Sequence, residues 1–273
     1  ALLANIAGMY AVYHGYEGIK EIANTIHRMA NTLAKNLENL GFEIKHSAFF
    51  DTLFISLKDT EKLKTIAENA SMNFYYNDYS VQISIDETSS LEDLALIVSV
   101  FKEYGTTIQA PENHEFVIPS ELHRSSKFLQ HDVFNLYRSE TELMRYIKKL
   151  ENKDLSLMHA MIPLGSCTMK LNAAVELEPL SWNEFANIHP HQPEDQVQGY
   201  IEILSELADD LCEITGFAGM SMQPNSGAQG EYAGLMAIRA YHHANGDTHR
   251  DICLIPSSAH GTNPASAVMA GMK

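Results

Sequence analysis

The hydrophobic pattern at the start of the chain predicts one helix and several short strands. Apolar residues recur at three- and four-residue spacing over 18–40, and Gly41 then provides a C-terminal cap. Strand-forming residues dominate four later runs, with a polar helical stretch at 60–69 among them; the runs are 42–45, 52–57, 72–76 and 81–85. We therefore expect residues 1–108 to form a small α+β domain.

Two capping boxes predict the next helices. Ser89 with Glu92 opens a helix over 91–104, and Ser139 with Glu142 opens another that ends near Leu150. Residues 105–126 contain proline and show no periodicity, as is typical of a linker. Residues 109–160 are accordingly predicted to be a linker and a connecting helix.

The last part of the chain has the pattern of an α/β protein. Helices are predicted at 197–213 and 230–243, and the β-branched run 251–256 that follows predicts a strand with both faces buried. This order of elements indicates that residues 161–273 begin a parallel-sheet large domain. The predicted fold class is α/β.

Composition and charge exclude several functions. Of the 273 residues 45% are hydrophobic, but no apolar run is long enough to cross a bilayer. The net charge of −16 comes from 35 acidic and 19 basic residues, and such a surface repels a nucleic-acid backbone. We expect small polar ligands or protein partners, with no nucleic-acid and no membrane role.

Cysteine and histidine spacing gives no indication of a metal site. Cys167, Cys212 and Cys253 are isolated, which favours a reducing compartment. Among 13 histidines only His189 and His191 have ligand-like spacing, and no cysteine or acidic third ligand lies nearby. The prediction is therefore that no metal is bound.

The ends of the sequence suggest a segment of a larger protein. The chain starts at Ala1 without Met and passes directly into an apolar stretch, and it stops at Lys273 with no terminal motif. We expect both native termini to lie outside this sequence, so a targeting signal cannot be read from it.

A small-residue loop before a helix is the strongest local indication of a binding site. Residues 223–231 read QPNSGAQGE and lead directly into the predicted helix. Small residues let an anion approach the backbone, where free N–H groups and the positive end of the helix dipole bind it. The pattern is neither a Walker loop nor a dinucleotide fingerprint. The alternative is an ordinary Asn/Ser helix cap after a turn.

Two other segments carry candidate side chains. His260 lies in PSSAHGTNP (256–264) directly after the predicted strand, where ligands bind in open α/β sheets. It could equally be a hydrogen-bonded structural histidine. Ser166, Cys167 and Thr168 lie in MIPLGSCTMK (161–170) and could line a site, or could be turn and cap residues.

Three long motifs together resemble the P-protein family of the glycine cleavage system. They are IPLGSCTMKLN at 162–172, QPNSGAQGEYAG at 223–234 and CLIPSSAHGTNPAS at 253–266. The N-terminal residues 1–10 and the stretch 134–146 are similar to the family as well. The resemblance therefore covers the whole chain.

The resemblance implies a fold and a cofactor site. The family consists of two similar fold-type I halves, so residues 1–108 would close the first half and 161–273 would open the second. The cofactor would be pyridoxal phosphate, with its phosphate held by Ser226, Gly227 and Ala228. His260 would stack on the pyridine ring as a catalytic residue, and Thr262 would be a further cofactor contact.

The resemblance also implies an activity and partners. Such an enzyme decarboxylates glycine and transfers the aminomethyl group to the lipoyl group of H-protein. The partners would be glycine, lipoylated H-protein and the remainder of the same chain, in a homodimer. The compartment would be the cytoplasm in a bacterium and the mitochondrial matrix in a eukaryote.

The same resemblance places the cofactor-binding lysine beyond residue 273. Lys170 and Lys273 lie in other family motifs, so neither is expected to bind the cofactor covalently, and the segment alone is expected to be inactive. Two alternatives remain at this point: a phosphate-ester or nucleotide-binding module without covalent chemistry, and another fold-type I decarboxylase or lyase.

Overall fold

The structure is a computed structural model that describes residues 2–105, 118–156, 159 and 173–273. It divides into two compact units, Ala1–His159 and Ala160–Lys273. The predicted division at 108 and 160 into two domains and a connector remains a prediction.

The first unit packs helices against a small antiparallel sheet. The third strand of the chain lies between the first and the second, and Leu53 on the first strand lies opposite Ile83 on the third. The elements are α1 (Leu2–Asn39), β1 (Thr52–Ser56), α2 (Thr60–Asn69), β2 (Tyr75–Asn77), β3 (Ser80–Ser84), α3 (Leu91–Tyr104), a 3-10 turn (Ser120–Leu122), α4 (Val133–Leu136) and α5 (Glu140–Glu151).

The core of this unit lies between the sheet and helices α1, α2 and α3. The alternation of β-branched residues along the strands places every second side chain on the helix-covered face. The largest fully buried side chains are Phe101, Leu33, Leu37, Leu53, Ile55, Leu63, Val81 and Val100. Burial of each such side chain contributes roughly 1.5–3 kcal/mol, so this cluster is what fixes the unit.

Most predicted elements of the first unit are confirmed, with shifts at their ends. Helices at 60–69, 91–104 and from 140 to about 150 are present. Run 42–45 makes only one bridge, Ile44 with Ile55, and the strand expected at 72–76 starts at Tyr75.

The cap of α3 is one residue later than predicted. Ser90 Oγ accepts from the Asp93 N–H at 3.1 Å, and Asp93 Oδ2 accepts from the Ser90 N–H at 2.8 Å. The expected cap, Ser89, instead donates to Asp86 Oδ1 at 3.0 Å and so stabilises the preceding turn. The prediction of Ser89 with Glu92 was therefore wrong, because a turn competes for that serine.

Helix α1 is longer than predicted and contains a break. Gly15 has φ 60° and ψ −171°, which lie outside the helical range. A Cβ at Gly15 would collide with the Arg138 side chain and the Phe134 carbonyl. Only glycine fits this position, where α1 is kinked and α4 approaches it. The helix starts at Leu2 instead of near residue 18.

The second unit consists mainly of helices in the described range. They are α6 (Ala174–Leu177), α7 (Asn183–Ala186), α8 (Gln198–Thr215), α9 (Gly227–Ala244) and α10 (Thr262–Met269), with 3-10 turns at Glu178–Ser181 and Glu194–Gln196. Helices expected at 197–213 and 230–243 are confirmed as α8 and α9, and α9 begins three residues earlier than predicted.

The run 251–256 carries the hydrogen bonds of a parallel pairing. The Lys273 N–H donates to the Asp251 carbonyl at 2.6 Å, and the Cys253 N–H donates to the Lys273 carbonyl at 2.7 Å. Lys273 thus bonds through its N–H and its carbonyl to the residues on either side of Ile252, which is the hydrogen-bond pattern of parallel strands. Helix α10 connects the two segments. This local geometry is compatible with the predicted α/β class.

The expectation that both faces of this run are buried was wrong. Cys253 and Ile255 pack on Ala267, Ala270 and Met272 beneath α9 and α10. Ile252 and Leu254 point the other way and are 69% and 92% exposed. Both helices cover the same face, and within the described residues no element covers the other.

Among residues 2–105, 118–156 and 173–273, no helix combines the length and hydrophobicity required to span a membrane.

Candidate functional site

Ser226 caps helix α9, as its residue type and position predict. Its backbone is extended, and its Oγ accepts from the Gln229 N–H at 3.2 Å. Gln229 Oε1 in turn accepts from the Asn225 N–H at 2.7 Å. The Ser226 carbonyl accepts from the Gly230 N–H at 3.0 Å. These bonds hold the loop in one conformation and confirm that Ser226 is the N-cap of α9.

The cap leaves two backbone donors available. The first four N–H groups of a helix, counted from its N-cap, have no acceptor within it. In α9 the Gln229 N–H donates to Ser226 Oγ, and the Gly230 N–H makes the first bond of the helix itself. The N–H groups of Gly227 and Ala228 make no other bond within the described residues. A Cβ built on Gly227 meets nothing within 4 Å. An anion can therefore reach these donors at the positive end of the helix dipole.

The first residue of α10 fixes the ring of His260. Its Nδ1 lies 3.0 Å from Thr262 Oγ1 and 3.5 Å from the Thr262 backbone nitrogen. The backbone N–H can only donate, so Nδ1 acts as an acceptor and Nε2 carries the proton in the neutral ring. The imidazole is exposed. It is thus held in orientation by Thr262 while the side chain remains exposed.

One cavity connects the two loops. It has a volume of about 520 Å³ and is bordered by Gly230 and Glu231 on α9 and by Ala259 and Asn263 on either side of His260. Its apolar wall comes from Leu254, Ile255 and Pro256, among other residues. An apolar cavity with few polar groups is the usual form of a small-molecule site.

The structure brings the predicted residues near this cavity without placing them in its lining. Sequence neighbours of Ser226, Gly227, Ala228, His260 and Thr262 line it, whereas these five do not. The third predicted group, Ser166, Cys167 and Thr168, lies outside the described residues.

Residues that sequence reasoning missed connect α9 with α10. Glu231 accepts from Asn263 Nδ2 at 2.9 Å through Oε1 and from Ser266 Oγ at 3.3 Å through Oε2. Arg239 Nη1 donates to the Ala270 carbonyl at 2.6 Å. The available signal was a lone carboxylate among the small residues of 226–234, but its partners lie more than thirty positions away.

The ammonium group of Lys273 forms an ion pair with a neighbouring carboxylate. Its Nζ lies 2.6 Å from Asp251 Oδ2, and hydrogen bonding to Lys273 lowers the pKa of that carboxyl. Among the residues described, no group of three His, Cys, Asp or Glu side chains could hold a metal ion. His189 Nδ1 accepts from the His191 backbone N–H at 3.0 Å, so the two histidines are hydrogen bonded to each other.

The chain is similar to known proteins over its whole length. The profile of the glycine cleavage system P-protein family matches residues 1–101. A glycine dehydrogenase (decarboxylating) of Christiangramia forsetii is 58% identical over 276 residues, which cover 100% of this chain and 29% of that protein. The protein of the same name from Flavobacterium johnsoniae is 56% identical over 278 residues, with the same coverage.

A vertebrate relative extends this similarity. The mitochondrial glycine dehydrogenase (decarboxylating) of Gallus gallus is 52% identical over 281 residues, covering 100% of this chain and 28% of the relative. The chain therefore spans a little under a third of the length of these curated relatives. Bacterial and mitochondrial proteins match the same stretch, and the chain belongs to the glycine cleavage system P-protein family.

Proposed function

We propose that this chain is a segment of a pyridoxal-phosphate-dependent glycine decarboxylase, and that part of its cofactor site is formed by Ser226, Gly227, Ala228, His260 and Thr262. The observation that carries this proposal is the shared cavity, which is bordered by the first turns of α9 and α10 beside an exposed, oriented imidazole. The names of the relatives support the reaction. The carboxyl end of a strand is where α/β sheets bind ligands, which supports the location.

The residues present fit the chemistry of the cofactor. Gly227 and Ala228 offer two backbone N–H groups to a phosphate, and the open space at Gly227 lets it approach. The flat His260 ring, held by Thr262, would support one face of a pyridine ring. Leu254, Ile255 and Pro256 would provide an apolar wall on the other side of the site.

The cofactor, when bound, supplies an electron sink for the bond to the departing carboxylate. The contribution of this chain is to orient the ring and fix its phosphate, so that the reacting bond of glycine has the correct direction. The resemblance to the family places the cofactor-binding lysine in a later segment, and the proposal therefore assigns covalent attachment to a lysine elsewhere in the protein.

The wider assembly is part of the same proposal. It includes transfer of the aminomethyl group to lipoylated H-protein, completion of the site by the remainder of the protein, fold-type I halves and a homodimer. The match to the glycine cleavage system P-protein family is what supports this part. The uncovered Ile252 and Leu254 face agrees with a sheet that continues beyond the described residues.

The experiment compares the 273-residue chain with the full-length protein. Both are incubated with pyridoxal phosphate and borohydride, and glycine–bicarbonate carboxyl exchange is measured for the full-length protein. We expect covalent labelling and exchange for the full-length protein, and no labelling of the shorter chain. Phosphate-ester binding without labelling would instead support a simple binding module, and labelling without glycine exchange another decarboxylase or lyase.

A matched pair of variants tests the phosphate site. Gly227→Val places a branched side chain beside the two free N–H groups, and Gly199→Val makes the same change in the first turn of α8. At both positions a Cβ would have no neighbouring atom within 4 Å. The proposal expects weaker pyridoxal phosphate binding for Gly227→Val only. Equal binding by the two variants would remove this loop from the site.

A further inference from the structure

Glu231 connects the start of α9 with the start of α10. One carboxylate oxygen accepts from Asn263 Nδ2 at 2.9 Å and the other from Ser266 Oγ at 3.3 Å, and both bonds are partly buried. Hydrogen bonds to an ionised acceptor are about twice as strong as those between neutral groups. This one side chain therefore fixes two positions on the opposite helix.

Arg239 provides a second connection two turns further along α9. Its Nη1 donates at 2.6 Å to the carbonyl of Ala270, the residue that ends α10. A cation at the C-terminal end of a helix also interacts favourably with the helix dipole. Glu231 and Arg239 thus contact opposite ends of the same short helix.

The two connections determine how the helices run. The beginning of α9 contacts the beginning of α10, and a later turn of α9 contacts its end, so the helices are parallel and their N-termini lie at the same end. One anchor would allow α10 to rotate about the contact. Two anchors on separate turns prevent both rotation and sliding.

This arrangement bears on the candidate site because each loop is attached to one of the helices. Ser226 is the N-cap of α9, and His260 hydrogen bonds with Thr262, the first residue of α10. A shift of α10 against α9 would change the distance between His260 and the donors of Gly227 and Ala228. The position of α10 relative to α9 therefore determines the position of the His260 ring.

We infer that Glu231 is a positioning residue, with Arg239 as second anchor, and that it sets the spacing between the phosphate-binding end of α9 and the His260 ring. The inference rests on the proposed function. Glu231 also borders the cavity, but the effect inferred here is exerted through Asn263 and Ser266.

The test uses Glu231→Ala in the full-length protein, with Glu202→Ala on the exposed surface of α8 as control. We expect Glu231→Ala to weaken pyridoxal phosphate binding by roughly 10- to 100-fold, the range in which the loss of an outer hydrogen-bonding partner acts. At saturating cofactor, kcat should fall by up to roughly 100-fold, because displacement by about 1 Å has that effect. The absorbance spectrum of the bound cofactor should also change, while Glu202→Ala keeps all three properties.

A compensating pair separates positioning from simple stability. Glu231→Gln removes the charge, and Glu231→Gln with Asn263→Asp reverses donor and acceptor across the same contact. We expect the double variant to recover most of the binding and the spectrum that the single variant loses. This comparison applies even if Glu231→Ala does not fold.

The outcomes distinguish this inference from the proposed function. If the unmodified full-length protein does not bind pyridoxal phosphate, the proposed function fails and the inference falls with it. If that protein binds the cofactor and the Glu231 variants bind and turn over equally well, only the inference is wrong. Loss of binding without recovery in the double variant would also contradict it.

Discussion

Gly271 has φ of 72°, and the guanidinium of Arg239 occupies the space that a Cβ on this glycine would need. Two constraints therefore coincide at one residue. The left-handed backbone disfavours any side chain, and a methyl group would have to displace the Arg239 guanidinium. The contact between Arg239 and the Ala270 carbonyl depends on this glycine.

Gly271→Ala should therefore destabilise α10 by more than the cost of placing an alanine in a left-handed backbone conformation. Gly216 is the matched control, since it has φ of 74° and a Cβ added there would meet no atom within 4 Å. We expect Gly216→Ala to cost roughly 1–2 kcal/mol and Gly271→Ala to cost an additional ~1.5–3 kcal/mol from the displaced charged hydrogen bond. Hydrogen exchange of α8 and α10 measures both effects, and equal losses would contradict the role of Arg239.

The core of the first unit predicts a second comparison. Leu33 is fully buried on α1, whereas Leu91 at the start of α3 is 70% exposed. Leu33→Ala should lower the free energy of unfolding by roughly 2–5 kcal/mol through lost burial and a residual cavity. Leu91→Ala should change it by no more than about 0.5 kcal/mol. Chemical denaturation followed by circular dichroism checks this, and similar midpoints for the two variants would argue against the described core.

The cap of α3 predicts an effect on acid stability. Hydrogen bonds from Ser90 lower the pKa of Asp93 below its ordinary 3.8. A pKa lowered in the folded state adds stability above the unfolded pKa, and that stability is lost as pH falls through the folded value. Ser90→Ala should raise the Asp93 pKa, weaken this acid dependence and cost roughly 0.5–2 kcal/mol. Carboxyl titration by NMR measures the shift.

Ser89→Ala is the control for the cap. It should raise the pKa of Asp86, to which Ser89 donates, and leave Asp93 unchanged. A shift at Asp93 in this variant would contradict the assignment of Ser90 as its partner.

Tyr76 predicts an effect at alkaline pH. Burial, followed by the charge of Glu68, raises its pKa to about 12. Its hydroxyl lies near the Phe74 backbone but forms no hydrogen bond of normal geometry. A raised folded-state pKa gives stability that is complete below the unfolded value near 10 and is lost as pH rises through the folded value.

Tyr76→Phe should therefore remove this alkaline loss. At neutral pH it should leave the free energy of unfolding within about 1 kcal/mol or raise it, because a buried unpaired hydroxyl is removed. Tyr75→Phe on the exposed face of β2 is the control. Denaturation at neutral and alkaline pH, together with phenolate absorbance, measures the difference. A large loss at neutral pH would show that the Tyr76 hydroxyl is bonded.

Elements fixed by local interactions could be predicted from the sequence. The helices Thr60–Asn69 and Leu91–Tyr104 depend on residue spacing and nearby caps, and both occur where the pattern indicates. Ser226 was recognisable for the same reason, because its cap bonds reach only three or four residues along the chain. The cap at Ser90 shows the limit, since two adjacent serines compete for two roles.

Features that depend on distant contacts could not be predicted. The break at Gly15 is required by Phe134 and Arg138, more than a hundred residues away. The bonds from Glu231 to Asn263 and Ser266 likewise join separate motifs. Sequence spacing indicates which side chains have suitable chemistry, but their relative placement follows from how the helices pack.

The parallel pairing of Asp251, Cys253 and Lys273 has a consequence for the order of folding. Helices α9 and α10, the paired segments and the hydrogen bonds that join them all come from the single stretch 226–273. Loops this short close quickly, and local contacts form before distant ones. During synthesis, the N-terminal turn of α9 and the His260 loop can therefore reach their relative positions early, without waiting for contacts from distant parts of the chain.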